Sequence, residues 1–251
     1  MKVVLECLKC VDEQGKLLGD TMVVEMQDNG LYRVTCSKSH ESLVFVPTPK
    51  HEILFQLGAL ALLDGHTREA VSSIAVALER FYEFYVKVVS TKYNLSPPEF
   101  DRCWKMVSKQ SERQLGAFLF LYLFETKRAA QFINNKFTEF RNEITHKGKI
   151  CSYDEAVEYG VYVMNIIKSV TAELRATDNE SVGRVLWESA PKEWDEAPES
   201  VAKVLKFLPT ILEFPNNVPG VTNFREALEA VKRRRAENVN PKDAPDHGGK
   251  Q

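Results

Sequence analysis

The chain has 251 residues, of which 44% are apolar and 27% charged, the profile of a folded globular protein rather than a disordered chain. Its 33 lysines and arginines face 35 aspartates and glutamates, a net charge of −2, so any polyanionic partner must be met by a local patch. The longest apolar run, Leu115 to Phe124, is ten residues, too short for a bilayer, and Glu6 and Cys7 come too early for a signal peptide; the expectation is a cytoplasmic protein with reduced thiols.

Residues 1–48 read as β. Thr21–Met26 and Leu31–Thr35 flank Asp28-Asn29-Gly30, a turn sequence that predicts a hairpin. Ser42–Val46 is a further strand, ended by Pro47 and Pro49. Short strands alone bury little, so this segment needs a staple or a partner surface.

From residue 51 the pattern turns helical. His51–Leu63 predicts a short apolar helix. Thr67 to Tyr93 is long, with Val71, Ile74, Leu78, Phe81, Tyr85 and Val88 on one face. Ser96-Pro97-Pro98-Glu99 opens another helix with an N-cap serine and an acid three residues on. Leu115–Phe124 is apolar all round, which predicts a helix enclosed by others. Arg128–Thr145 is amphipathic. Ser152-Tyr153-Asp154-Glu155 is a second capping box, and its helix is expected to run to Leu174. Seven of the eleven prolines follow residue 190. Short helices are expected at Ser200–Phe207 and Asn223–Arg235, and a disordered tail over residues 240–251. The fold class expected is mainly α, a helical bundle over 51–176 preceded by a small β domain over 1–48 and followed by a short-helix extension over 177–239.

Cys7-x2-Cys10 and Cys36-x3-His40 form two pairs of soft or borderline ligands, the number that a tetrahedral zinc ion takes. Both pairs are expected where strands end. The set resembles a zinc ribbon, and implies structural zinc bound by Cys7, Cys10, Cys36 and His40; the alternative is a small β domain whose thiols merely pack. Cys103 and Cys151 are isolated, which suggests packing. His51, His66 and His247 indicate no chemistry.

Phe140-Arg141-Asn142-Glu143-Ile144-Thr145-His146-Lys147-Gly148 closes the amphipathic helix. Ile133, Phe137, Phe140 and Ile144 mark its core face. Asn142 and His146, four apart, share the opposite side, with Arg141 on the flank. Gly148 suits the helix end. The string Arg141-Asn142-x3-His146 resembles the R-x4–6-H signature of HEPN domains, in which a polar residue, often asparagine, follows the arginine. The resemblance covers residues 51–176. A second match, Arg33 and His40, falls on a strand and the cysteine knuckle and lacks the asparagine.

The resemblance implies a metal-independent endoribonuclease that works as a homodimer, with Arg141, Asn142 and His146 as the catalytic set. It also implies a role as a toxin or antiphage effector. The residue types suit that chemistry. A histidine exchanges protons near neutral pH, an arginine grips phosphate oxygens with two donors, and an asparagine orients either. Between Lys127 and Lys149 six cations face two carboxylates, a net charge of +4. Lys136, Lys147 and Lys149 are the expected RNA contacts. The competing reading is a non-catalytic HEPN and zinc-ribbon module that binds RNA, nucleotide or a protein partner. A third is an adaptor subunit, whose proline-rich end engages a larger complex or a regulatory protein.

Overall fold

A computed structural model describes residues 1–14, 19–131, 133–213 and 222–237. Among them the chain forms five strands and nine helices, mainly α with the strands concentrated at the N-terminus. In order these are β1 (Lys2–Glu6), α1 (Leu8–Gln14), β2 (Thr21–Glu25), β3 (Leu31–Thr35), β4 (Glu41–Phe45), α2 (Lys50–Leu63), α3 (Thr67–Lys92), α4 (Pro97–Val107), α5 (Ser111–Thr126), α6 (Asn135–Lys147), α7 (Tyr153–Trp187), α8 (Lys192–Asp195), β5 (Ala202–Leu205) and α9 (Phe224–Glu237). They divide into two compact units. The first holds Met1–Ile53, Leu78–Gln131 and Ser169–Leu208; the second holds Leu54–Ala77, Phe132–Lys168 and Pro209–Gln251.

In the first unit the expected hairpin is a turn without a shared ladder. β2 pairs antiparallel with β1, whereas β3 pairs with β4 in a separate sheet. The turn itself forms as its residues dictate. Gly30 takes a left-handed φ of 63°, its N–H donates to the Gln27 carbonyl at 3.2 Å, and Asn29 Oδ1 accepts from Leu31 N–H at 3.1 Å. Thereafter Val46 N–H donates to the Gly30 carbonyl at 2.8 Å, which extends the pairing with β4 instead. Residues 200–207, expected as a helix, supply β5, which adds parallel to β4. So short a segment, Ala202-Lys203-Val204-Leu205, does not distinguish helix from strand by its pattern, and the open edge of β4 decides. Val3, Leu5, Tyr32, Val34, Val44 and Val46 form the core between these strands.

The helical part of this unit centres on aromatic rings. Phe118 on α5 stacks on Tyr82 at 4.7 Å and meets Tyr85 edge-on at 5.0 Å, which accounts for the aromatic face of α3 as core. α5 itself is not enclosed: Phe118 and Tyr122 are buried, but Phe120, Leu123 and Phe124 are exposed. Ser96 caps α4 as its sequence demands, with Oγ accepting from Glu99 N–H. Of the two isolated thiols Cys151 is buried, but Cys103 on α4 is exposed. α7 runs beyond Leu174 to Trp187, and Asp178 breaks its helical backbone at φ −159° and ψ 76°.

In the second unit the fully buried Phe55, Ile74, Ile144, Val163 and Phe224 come from α2, α3, α6, α7 and α9. α9 is therefore part of this core. Its Phe224 lies edge-on to Phe55 at 5.3 Å, and a Cβ on Gly160 would overlap the Phe224 ring. Residues 240–251, expected to be disordered, lie outside the described residues. Among the described residues no helix is long and apolar enough to cross a membrane.

Candidate functional sites

The first unit contains a cysteine–histidine cluster. Cys7 follows β1 and Cys10 sits in the first turn of α1, a helix the sequence reading did not expect. Cys36 follows β3, and His40 immediately precedes β4. A tight loop joins the last two: Cys36 N–H donates to the His40 carbonyl at 3.1 Å, and Ser39 N–H to the Cys36 carbonyl at 2.9 Å. Ser39 adopts a left-handed φ of 64° to close it. Asp20 ties the two halves together. Its carbonyl accepts from Cys7 N–H at 2.9 Å and its carboxylate from Ser37 N–H at 2.6 Å. The Ser37 amide also holds this carboxyl below its ordinary range.

The four ligand atoms lie within 4.8 Å of one another. Cys10 and Cys36 Sγ are 3.7 Å apart, and His40 Nδ1 is 3.4 Å from Cys10 Sγ and 3.7 Å from Cys7 Sγ. Sulfur and nitrogen ligands of a tetrahedral zinc ion stand about 3.5–3.8 Å from each other. A disulfide would need sulfurs at about 2.0 Å, and all five cysteines are free. Burial, helped by the neighbouring thiols, pushes Cys10 up to about 11. At Cys36 burial acts the same way but is outweighed by backbone hydrogen bonds from His40 and Lys38, and the thiol sits below its ordinary value. These four residues are arranged to hold a metal ion.

The second unit contains the arginine–histidine motif at the end of α6. The helix begins later than expected because Lys127 ends α5 in a left-handed C-cap and Asn134 is the N-cap of α6, its Oδ1 accepting from Lys136 N–H at 2.9 Å. Asparagine is among the best N-caps, so the boundary was legible at that residue. On the core side Phe137 stacks on Tyr162 at 4.3 Å, Phe140 meets Tyr159 at 5.8 Å, and Ile144 is fully buried. At 100° per residue, Asn142 and His146 then lie about 40° apart on the far side. His146 is exposed, while Arg141 and Asn142 are half-buried. Arg141 is engaged by a neighbouring group, and its carbonyl accepts from Thr145 Oγ1 at 2.8 Å.

Gly148 ends α6 with a left-handed φ of 71°, and the Lys149 amide returns to the Glu143 carbonyl at 3.1 Å. The side chain of Lys149 reaches Glu143 at 3.0 Å and Glu155 at 3.8 Å. Its hydrogen bond raises Lys149 and lowers Glu143 from their ordinary values. Lys136, Lys147 and Lys149 are all exposed, but Lys149 is occupied in joining α6 to α7. The capping box that starts α7 forms in full: Glu155 accepts from Ser152 N–H at 2.8 Å, and Ser152 Oγ accepts from Glu155 N–H at 3.2 Å. The motif accordingly stands between two well-defined helix ends. The remaining cations of the +4 stretch are not on α6. Lys127 and Arg128 precede it in the first unit, where Arg128 pairs with Glu173 at 3.1 Å.

No protein-family model, curated protein or solved structure matches this chain.

Proposed function

We propose that the chain is a metal-independent endoribonuclease of the HEPN type, with zinc as a structural ion at Cys7, Cys10, Cys36 and His40. The observation that carries this reading is Arg141, Asn142 and His146 at the capped end of α6, with the histidine exposed and the helix anchored by Ile144. In this reading His146 exchanges protons with the attacking 2′-OH or the leaving 5′-oxygen. Arg141 holds the phosphate oxygens through two donors, and Asn142 orients the phosphate by a hydrogen bond. Lys136 and Lys147 attract the RNA backbone. A homodimer would bring two copies of the motif around one phosphate and exclude water from it. The resemblance to HEPN nucleases favours a toxin or antiphage role in the cytoplasm.

The test is incubation of RNA with the wild type and with an Arg141→Ala/His146→Ala double variant, followed by analysis of the ends. The expected products carry 5′-OH and 2′,3′-cyclic phosphate termini and form in EDTA. A double variant that folds and cleaves like the wild type overturns the assignment.

A further inference from the structure

The first unit has a partly open cavity of about 480 Å³ that the cysteine cluster and the nuclease reading leave unused. It is lined by the turn before β3, the Pro47-Thr48-Pro49 connection, the first residues of α2, one face of α3 and the end of α7. This volume falls within the range of small-molecule sites.

Its charged groups are of both signs, with cations in excess. Lys50, Arg80 and Lys87 line it together with Asp28 and Glu83. Lys50 reaches the Asp28 carboxylate at 2.8 and 2.9 Å. Arg80 is held by Glu83 and by Gln114 at 2.9 Å, which fixes its guanidinium. Three cations against two carboxylates leave one positive charge in the lining. α2 also starts here. Its early amides from Glu52 and Ile53 turn back to the Pro49 carbonyl, while those of Lys50 and His51 belong to the open first turn, the positive end of a 14-residue helix.

A second, independent observation is His51. It lines the cavity and is only 3% exposed, and its Nδ1 has no hydrogen-bond partner among the described residues. The ring is packed between Phe81 at 5.2 Å and Phe84 at 5.0 Å. Burial lowers its pKa to about 3, so the imidazole is neutral and offers a nitrogen rather than a charge. Buried polar atoms in native proteins are normally satisfied; this nitrogen has no accessible surface, so a ligand meets it only when the ring turns toward the cavity. Phe45, Val46 and Phe84 complete the lining with apolar surface.

We propose that this cavity binds a small organic anion, its carboxylate or phosphate head held by Lys87, Arg80 and the start of α2, and its flat apolar body against Phe84 and Phe45. The proposal is independent of the nuclease reading.

Calorimetric titration of the full-length protein with benzoate, phenyl phosphate and neutral benzyl alcohol tests it. Saturable binding of at least one anion is expected, with benzyl alcohol weaker by roughly tenfold or more; the tighter of the two anions identifies the head group. Lys87→Met should weaken that binding roughly tenfold. Glu83→Gln, which removes a negative charge from the lining, should tighten it, a gain that misfolding does not produce. His51→Phe, which keeps an aromatic ring but removes the nitrogens, should weaken it. No saturable binding of either anion, equal binding of benzyl alcohol, or indifference to both Lys87→Met and Glu83→Gln overturns the proposal.

Discussion

The cysteine cluster of the first unit and the α6 terminus of the second are built on opposite principles. In the first, three buried thiols and a histidine converge from the start of α1 and the β3–β4 loop, and the hydrogen bonds of Asp20, Cys36 and His40 set the spacing. The groups face one another and are arranged to hold an ion. At the end of α6 the core is made by Phe137, Phe140 and Ile144, while His146 faces outward. The fold does not need the histidine. The difference is one of dependence: the buried set is tied to the strands and loops around it, whereas the exposed one sits on a capped helix end whose core is made by other residues.

Metal removal gives the largest effect that can break this contrast. Structural zinc in small domains contributes on the order of 10 kcal/mol to folding. A strong chelator, or Cys10→Ser, should therefore lower the melting temperature by roughly 10 °C or more, with about one equivalent of metal lost by elemental analysis. RNA cleavage below the melting transition should continue. A stable, metal-free wild type with three titratable thiols would refute the cluster's role. The converse experiment is His146→Ala, which should reduce cleavage by roughly two to four orders of magnitude and leave the thermal melt within about 1 °C of wild type, since exposed side chains contribute little to stability. Arg141→Lys should not restore full activity, because a point charge does not replace a two-donor fork.

Ile144→Ala sharpens the comparison from the other side. It removes a fully buried side chain two residues from the exposed histidine and should cost about 2–4 kcal/mol by denaturant titration. Cleavage should fall only in proportion to the loss of folded protein. The smallest effect is expected at the cap of α7. The Ser152 amide and hydroxyl hold the Glu155 carboxyl below its ordinary value. Its stabilisation is therefore complete above the unfolded value of about 4.5 and is lost as pH falls through the lowered one. Glu155→Gln should cost about 0.5–1 kcal/mol at neutral pH, and the two stability curves should converge in acid. A constant gap down to the lowest pH would show that the carboxylate does not act through its charge.

Local chemistry was readable along the chain. Ser96 and Ser152 announced helix starts because a capping hydroxyl acts within three residues. The pairs Cys7–Cys10 and Cys36–His40 announced a ligand cluster because each pair sits on one short segment, and the three-dimensional spacing agrees. The apolar face of α3 announced core, and its Phe81 and Tyr85 are buried. Gly148 announced the end of α6 because few other residues take a positive φ without strain.

Tertiary structure decided what depends on partners distant in sequence. Asp28-Asn29-Gly30 makes the turn it encodes, but a turn does not choose a ladder: β2 joins β1, β3 joins β4, and the edge of β4 turns residues 202–205 into a strand. The apolar run of α5 predicted a helix covered on all sides, but rings from α3 fill one face and leave Phe120 and Phe124 in solvent. His51 carries no signal in one dimension; its buried, unpartnered nitrogen exists only once α2 and α3 enclose it. Propensity and capping energies act over a few residues, while strand pairing, burial and cavities are set by which segments compete for the same surface, and that competition is settled only when the chain has closed on itself.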